Sequence, residues 1–90
     1  MPTIFITIYG KVQGVFFRAS AKEIADSIGV KGWVKNTLEG NVEVLASGND
    51  QQLEKFIEWC SRGPSNAKVT EIKVDRVNDT DAPDFSIRRF

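Results

Sequence analysis

Residues 10–18 have the sequence GKVQGVFFR and connect a predicted strand to a predicted helix. Gly10 and Gly14 allow backbone angles that other residues resist, so that successive main-chain N–H groups can turn toward one point. The helix that follows adds unpaired N–H groups and the positive end of its dipole. Arg18 adds a permanent charge and a planar set of donors that matches phosphate or carboxylate oxygens. This stretch therefore predicts a phosphate-sized anion site.

The hydrophobic pattern on both sides of this stretch predicts a strand or a helix for most of the chain. Residues 3–9 alternate as in a strand, with three isoleucines on one face. The first helix, 18–28, has apolar positions at helical spacing and ends at Gly29. Further strands are predicted at 32–38, 41–47, 67–77 and 84–90, and a second helix extends from a cap at Asn49 or Asp50 to Gly63. We expect an irregularity in strand 67–77, where the alternation slips.

This order, βαββαβ followed by one more strand, is the ferredoxin-like split arrangement of the α+β class. Right-handed crossovers place two helices on one face of an antiparallel sheet, and the extra C-terminal strand is predicted at a sheet edge. The first two strands run parallel with the third between them, so the 10–18 loop and Asn36 lie on the same rim. With neighbouring strands about 4.8 Å apart, these positions are roughly 10 Å apart. A chain of 90 residues forms one core, which predicts a single domain over 1–90.

Composition excludes several classes of function. The 12 basic and 12 acidic residues cancel, which removes the electrostatic attraction on which non-specific nucleic-acid binding depends. With no histidine and one cysteine, the chain cannot build a usual zinc site or a Ser-His-Asp or Cys-His system, and we expect no metal and no cofactor. The lone Cys60 forbids an internal disulfide, and no signal peptide or membrane-spanning run is present. We therefore expect a cytoplasmic protein, and a monomer.

Two segments resemble the signatures of the acylphosphatase family. Residues 10–18 match GxVQGVxFR at every fixed position, and GWVKNTLEGNVEV at 32–44 is similar to GWVxNxxDGxVEV. Glu39 stands where that family more often has aspartate. The resemblance extends over nearly the whole chain, up to the terminal aromatic Phe90, and two signatures in the right order make it specific.

The resemblance implies a small stand-alone enzyme that hydrolyses acyl phosphates to carboxylate and inorganic phosphate. Arg18 and a main-chain cradle would bind the phosphoryl group, Asn36 would position the attacking water, and Thr37 would add a supporting hydrogen bond. The residues of this cradle are Gln13, Gly14, Val15, Phe16, Phe17 and Arg18. The chemistry needs no strong general acid because the carboxylate is a good leaving group. The Asn36 amide cannot act as a base, and we hypothesise that the substrate phosphate accepts the proton.

Several other residues are expected in packing or surface roles. We expect Phe16 and Phe17 to pack the loop against the helix, with direct contact to the substrate as the less favoured alternative, and Arg88 and Arg89 to be surface charges. Trp33 and Trp59 are expected to be packing residues rather than ligands, and Cys60 is expected to be buried in the second helix and inert.

Two rival functions are compatible with the predicted fold. One is an RNA-binding module, since ferredoxin-like sheets also stack bases, although the third strand lacks the aromatic residues this needs. The other is a non-catalytic small-molecule or interaction module of acylphosphatase type. We favour the self-standing enzyme because the sequence stops at Phe90 with no appended segment.

Overall fold

A computed structural model of the protein describes residues 1–89, which form two helices and five strands. The order is β1 (Thr3–Lys11), α1 (Phe17–Ile28), β2 (Lys31–Asn36), β3 (Val42–Ser47), α2 (Asp50–Arg62), β4 (Lys68–Val77) and β5 (Phe85–Arg88). Every predicted element is present, with ends that differ by a few residues. The predicted last strand reached Phe90, which lies outside the described residues. None of the helices in residues 1–89 is long and apolar enough to cross a membrane.

The strands form one sheet in the order β4-β1-β3-β2-β5. β3 pairs antiparallel with both β1 and β2, which confirms that the first two strands run parallel with the third between them. β5 occupies the predicted edge and pairs parallel to β2, so the complete sheet is mixed around an antiparallel core of four strands. The carboxyl ends of β1, β2 and β5 consequently meet on one rim.

Both helices pack on one face of the sheet, as the ferredoxin-like order predicts. Alternate residues of the central strands face the helices, and Ile6, Ile8 and Val44 are completely buried there. α1 contributes Ala21 and Ala25 to this core. α2 has an apolar stripe that is buried at Leu53, Phe56 and Cys60. Burial of this stripe fixes α2 against the sheet through the hydrophobic effect.

The two helices begin in different ways. At α2 the Asn49 side chain accepts a hydrogen bond from the Gln52 N–H at 2.8 Å, and the Gln52 side chain accepts one from the Asn49 N–H at 2.8 Å. This reciprocal pair is a capping box, and it selects Asn49 rather than Asp50 as the cap. At α1 the cap position is Phe16, which provides no side-chain hydrogen bond. The first N–H groups of α1 are therefore left open.

The predicted irregularity lies where β4 passes Gly10. Tyr9 pairs with Glu71 while Gly10 pairs with Val69, so Thr70 is an extra residue on β4. Gly10 has φ 122°, and a β-carbon there would collide with the main-chain carbonyl oxygen of Lys68. Gly10 therefore lies inside β1 and accommodates the β4 bulge, whereas the sequence pattern placed it at the bend that carries the N–H groups.

Candidate active site

The loop between β1 and α1 consists of residues 12–16 and leaves a row of main-chain donors unused. Gly14 and Phe16 both have left-handed backbone angles, with φ 73° and φ 62°. Within residues 1–89, the N–H groups of residues 13–19 donate no hydrogen bond. Adjacent free N–H groups in a turn that leads into a helix N-terminus form a concave site for an anion. The loop thus has the free N–H groups that the sequence predicted, but its left-handed residues are Gly14 and Phe16, whereas Gly10 lies in β1.

Arg18 and Asn36 lie on the wall of one cavity of about 700 Å³. The residues that line it come from the loop, the start of α1, the end of β2, and β5 with the residue that follows it. They are Val12, Gly14, Phe16, Phe17, Arg18, Ala19, Asn36, Ile87 and Arg89. The predicted convergence of Arg18 and Asn36 on the rim is therefore observed. No carboxylate is among these described lining residues, and two of them are arginines, so the cavity favours an anion.

Asn36 carries a buried polar atom that has no partner. Its Oδ1 receives no hydrogen bond from any residue between 1 and 89. Leaving a buried acceptor unpaired costs about 1–3 kcal/mol, and such atoms in native proteins commonly accept from water. The amide at the end of β2 is therefore suited to hold a water molecule inside the cavity.

Gln13 acts through its side chain in a way that the sequence did not reveal. Its Nε2 donates to the Thr37 carbonyl oxygen at 2.8 Å and to the Asn41 carbonyl oxygen at 2.9 Å. The loop that carries the free N–H groups is thereby joined to the β2–β3 connection, immediately beyond Asn36. Two long-range bonds from one amide depend on the tertiary placement of both loops, and no local pattern around Gln13 or Asn41 signals them.

Thr37 and Val15 are not among the described residues that line the cavity. Thr37 is buried, and its Oγ1 accepts a hydrogen bond from the Asn41 N–H at 3.1 Å. This contact holds the β2–β3 connection in shape. The Val15 side chain is 6% exposed and belongs to the core, so that only its main chain is available to a ligand.

The two adjacent phenylalanines have different environments. Phe17 is 2% exposed and its ring lies 5.2 Å from that of Trp59, which confirms the predicted packing role. The prediction for Phe16 was wrong, because its side chain is 77% exposed and lines the cavity mouth. The left-handed backbone at Phe16 turns its side chain away from the core, and the local sequence does not disclose this angle.

Arg88 and Arg89 are exposed, as expected, but point to opposite sides of the sheet. The Arg88 guanidinium lies 5.0 Å from the centre of the Trp33 ring, on the face without helices. Arg89 lines the cavity together with Arg18. Sequence reasoning missed this, although extending the alternation of Phe85 and Ile87 to Arg89 places it on the helix-covered side.

The remaining titratable and aromatic groups near the core have packing roles. Burial raises the pKa of the Cys60 thiol, so the sulfur stays protonated and inert as predicted. Trp59 packs against Phe56 and Phe17, and Trp33 contacts Phe5 edge-on. Residues 1–89 contain no group of three or more histidine, cysteine, aspartate or glutamate side chains arranged to hold a metal ion.

Comparison with known proteins gives a consistent result. The family model described as Acylphosphatase matches residues 4–87. A curated acylphosphatase from Albidiferax ferrireducens is 43% identical over 72 residues, which cover 80% of this chain and 78% of that protein. The structure also superimposes on the crystal structure of acylphosphatase from Bacillus subtilis with a TM-score of 0.94 at 38% sequence identity. The aligned region covers 98% of this chain and 99% of the Bacillus subtilis chain. Full-length HypF is also similar, with a TM-score of 0.86 at 30% identity, but this chain covers 12% of its length.

Proposed function

Because this chain belongs to the acylphosphatase family and is an enzyme that hydrolyses acyl phosphates, we propose that Arg18 and the main-chain cradle bind the phosphoryl group while Asn36 positions the attacking water. The cradle comprises the N–H groups of Gln13, Gly14, Val15, Phe16, Phe17 and Arg18. The observation that supports this assignment is the shared cavity of Arg18 and Asn36 beside unused N–H groups. The RNA-binding and non-catalytic alternatives are not favoured, since the family match spans almost the whole chain.

The phosphoryl group would be held by charge and by directed donors. The Arg18 guanidinium can contact two phosphate oxygens at once, and the N–H groups surround the third. In phosphoryl transfer the negative charge spreads over these equatorial oxygens in the transition state. Donors that are already in place stabilise that charge without reorganisation, which is the main source of catalysis at such sites.

The water would be held by Asn36 from the end of β2. The unpaired Oδ1 can accept a hydrogen bond from water and so turn a lone pair of its oxygen toward phosphorus. Thr37 and Gln13 support this position indirectly, because they fix the β2–β3 connection next to Asn36 and join it to the cradle.

We propose that the proton of the water passes to the substrate phosphate. The amide of Asn36 is not basic near neutral pH, and arginine stays protonated. The described cavity lining offers no carboxylate to take the proton. The phosphate oxygens are the basic atoms that remain within reach. Loss of the leaving carboxylate then completes the hydrolysis to carboxylate and inorganic phosphate.

We also propose that the enzyme acts as a cytoplasmic monomer, independent of metal ions and without a nucleic-acid partner. The formal net charge of zero supports the last point, since it gives no general attraction to phosphate backbones. The single cysteine is compatible with a reducing compartment. Arginine and main-chain donors supply the charge stabilisation that a metal ion would otherwise provide.

The site assignment can be tested by hydrolysis of acetyl phosphate in excess chelator. We expect Arg18→Ala and Asn36→Ala each to lower kcat/KM by about 100-fold or more, the scale on which a positioned donor acts in such sites. Arg18→Lys should also be poor because lysine lacks the planar set of donors.

The matched controls are Arg62→Ala and Asn78→Ala, two exposed positions away from the cavity, and both should retain wild-type activity. Folding of each variant is checked by circular dichroism. Wild-type activity in a folded Arg18→Ala or Asn36→Ala variant would contradict the assignment.

A further inference from the structure

Apolar side chains are exposed at the mouth of the cavity. Five large hydrophobic residues in the described chain are exposed, namely Met1, Phe16, Leu38, Val74 and Ile87. Two of these line the same cavity as Arg18: Phe16, 77% exposed, and Ile87, 42% exposed. Ligand pockets typically combine apolar side chains with a few polar groups, and this cavity has both.

The backbone at Phe16 keeps its ring out of the core. A bulky residue at φ 62° is an outlier, because side chains other than glycine and asparagine resist the left-handed region. Its ring forms no aromatic pair with another residue between 1 and 89. The strained angle is therefore not compensated by ring packing, and such strain is typical of binding sites.

Ile87 reaches the same cavity from the other side of the site. Ile87 pairs with Val34 of β2, and Val34 precedes Asn36 by two residues. Like Phe85, Ile87 lies on the helix-covered face of the sheet. The neighbouring Phe85 is buried, whereas Ile87 remains accessible where α1 begins. The first loop and the last strand thus each contribute one apolar side chain near the phosphate cradle.

We propose that Phe16 and Ile87 form the binding subsite for the acyl group, and that the enzyme selects acyl phosphates whose acyl group is apolar and bulky, such as an aromatic ring. This inference rests on the proposed roles of Arg18 and Asn36. A cavity of about 700 Å³ has room for more than a phosphoryl group, and apart from Arg18, Asn36 and Arg89 its described lining is apolar or glycine. An apolar acyl group gains affinity there by leaving water, and an acetyl group has less apolar surface to bury than an aromatic ring.

The test compares benzoyl phosphate with acetyl phosphate in the wild-type enzyme and in variants. The two anhydrides differ in intrinsic reactivity, so the informative quantity is the change in the ratio of their kcat/KM values. Phe16→Ala and Ile87→Ala should each lower the benzoyl-to-acetyl ratio by about tenfold, the low end of what apolar pocket contacts discriminate. The loss should appear in KM for benzoyl phosphate, because the contact is equal in ground and transition states.

Two further variants keep the result interpretable. Phe16→Asn removes the ring and tolerates the left-handed angle, so it should lower the ratio even if Phe16→Ala folds poorly. Leu38→Ala removes an 88% exposed side chain outside the described cavity lining and should leave the ratio unchanged.

The outcomes separate this inference from the function on which it rests. Hydrolysis of both substrates with an unchanged ratio in the Phe16 and Ile87 variants would overturn the acyl subsite alone. An equal loss on both substrates, with weaker inhibition by inorganic phosphate, would overturn it as well, because it would show a disturbed cradle. A wild-type enzyme that hydrolyses neither substrate would refute the proposed function itself.

Discussion

Replacing Gln13 by alanine tests whether the phosphate cradle and the water-positioning end of β2 depend on each other. The Gln13 Nε2 donates to the carbonyl oxygens of Thr37 and Asn41 across two loops. We expect Gln13→Ala to lower the free energy of unfolding modestly and to lower kcat about tenfold, because small misplacements of reacting groups are costly.

The expected loss of stability follows from the partners that remain. The Thr37 carbonyl keeps the Gly40 N–H at 3.2 Å, and the Asn41 carbonyl keeps the Thr37 N–H at 2.9 Å. Neither carbonyl oxygen is left without a hydrogen bond, so the full free-energy cost of an unpaired buried acceptor does not apply. Two partly buried hydrogen bonds at the low end of their usual range amount to about 1–2 kcal/mol.

The assay combines urea unfolding, followed by tryptophan fluorescence, with steady-state hydrolysis of acetyl phosphate. Gln51→Ala, at an exposed position on α2, is the matched control and should change neither quantity. Gln13→Glu keeps the size and shape of the side chain but removes its hydrogen-bond donor. The ionised carboxylate cannot donate a hydrogen bond and faces two carbonyl oxygens. It should be worse than alanine at neutral pH.

The pH dependence of the Gln13→Glu variant gives the direction of its pKa shift. Two carbonyl acceptors favour the protonated acid, which raises the folded-state pKa of the introduced carboxyl group above its unfolded value. The variant should therefore gain stability relative to wild type as the pH falls through that raised pKa. A Gln13→Glu enzyme that is as stable and active as wild type at neutral pH would refute the reasoning.

Two other predictions separate stability from activity. Asn49→Ala removes the α2 cap and should lower the free energy of unfolding by about 1 kcal/mol, whereas Asn49→Asp should retain most of the stability. The kcat/KM of Asn49→Ala should be unchanged, because the cap lies outside the described cavity lining. A changed kcat/KM in a folded Asn49→Ala protein would contradict this. Arg89→Ala should lower kcat/KM about threefold, and by the same factor whatever the acyl group of the substrate. The difference in kcat/KM between Arg89→Ala and wild type should decrease at high salt, because salt screens an exposed charge. A deficit in Arg89→Ala that is confined to one acyl group would show that Arg89 contacts the acyl side.

Local patterns were sufficient to predict most of the fold. The alternation of Ile4, Ile6 and Ile8 and the helical spacing in α1 each report which side of an element is buried, because strands and helices have fixed periods. The capping box at Asn49 and the stop at Gly29 are equally local. The direction of pairing of β5 was not predicted, since nothing within 84–90 indicates which strand it joins.

For the candidate site, the sequence alone brought Arg18 and Asn36 to one rim, since element order and handed crossovers determine which strand ends meet. The tertiary structure decided the rest. Gln13 bonds to Thr37 and Asn41, which lie 24 and 28 residues further along the sequence. Phe16 turns outward on a left-handed backbone angle, and Arg89 reaches the cavity through the pairing of β5 with β2. The Gln13 contacts join distant segments and the Phe16 orientation depends on a single backbone angle, and neither leaves a periodic trace in the sequence. For Arg89 the alternation along residues 85–89 gives the side of the sheet, but only the pairing of β5 with β2 brings it to the cavity.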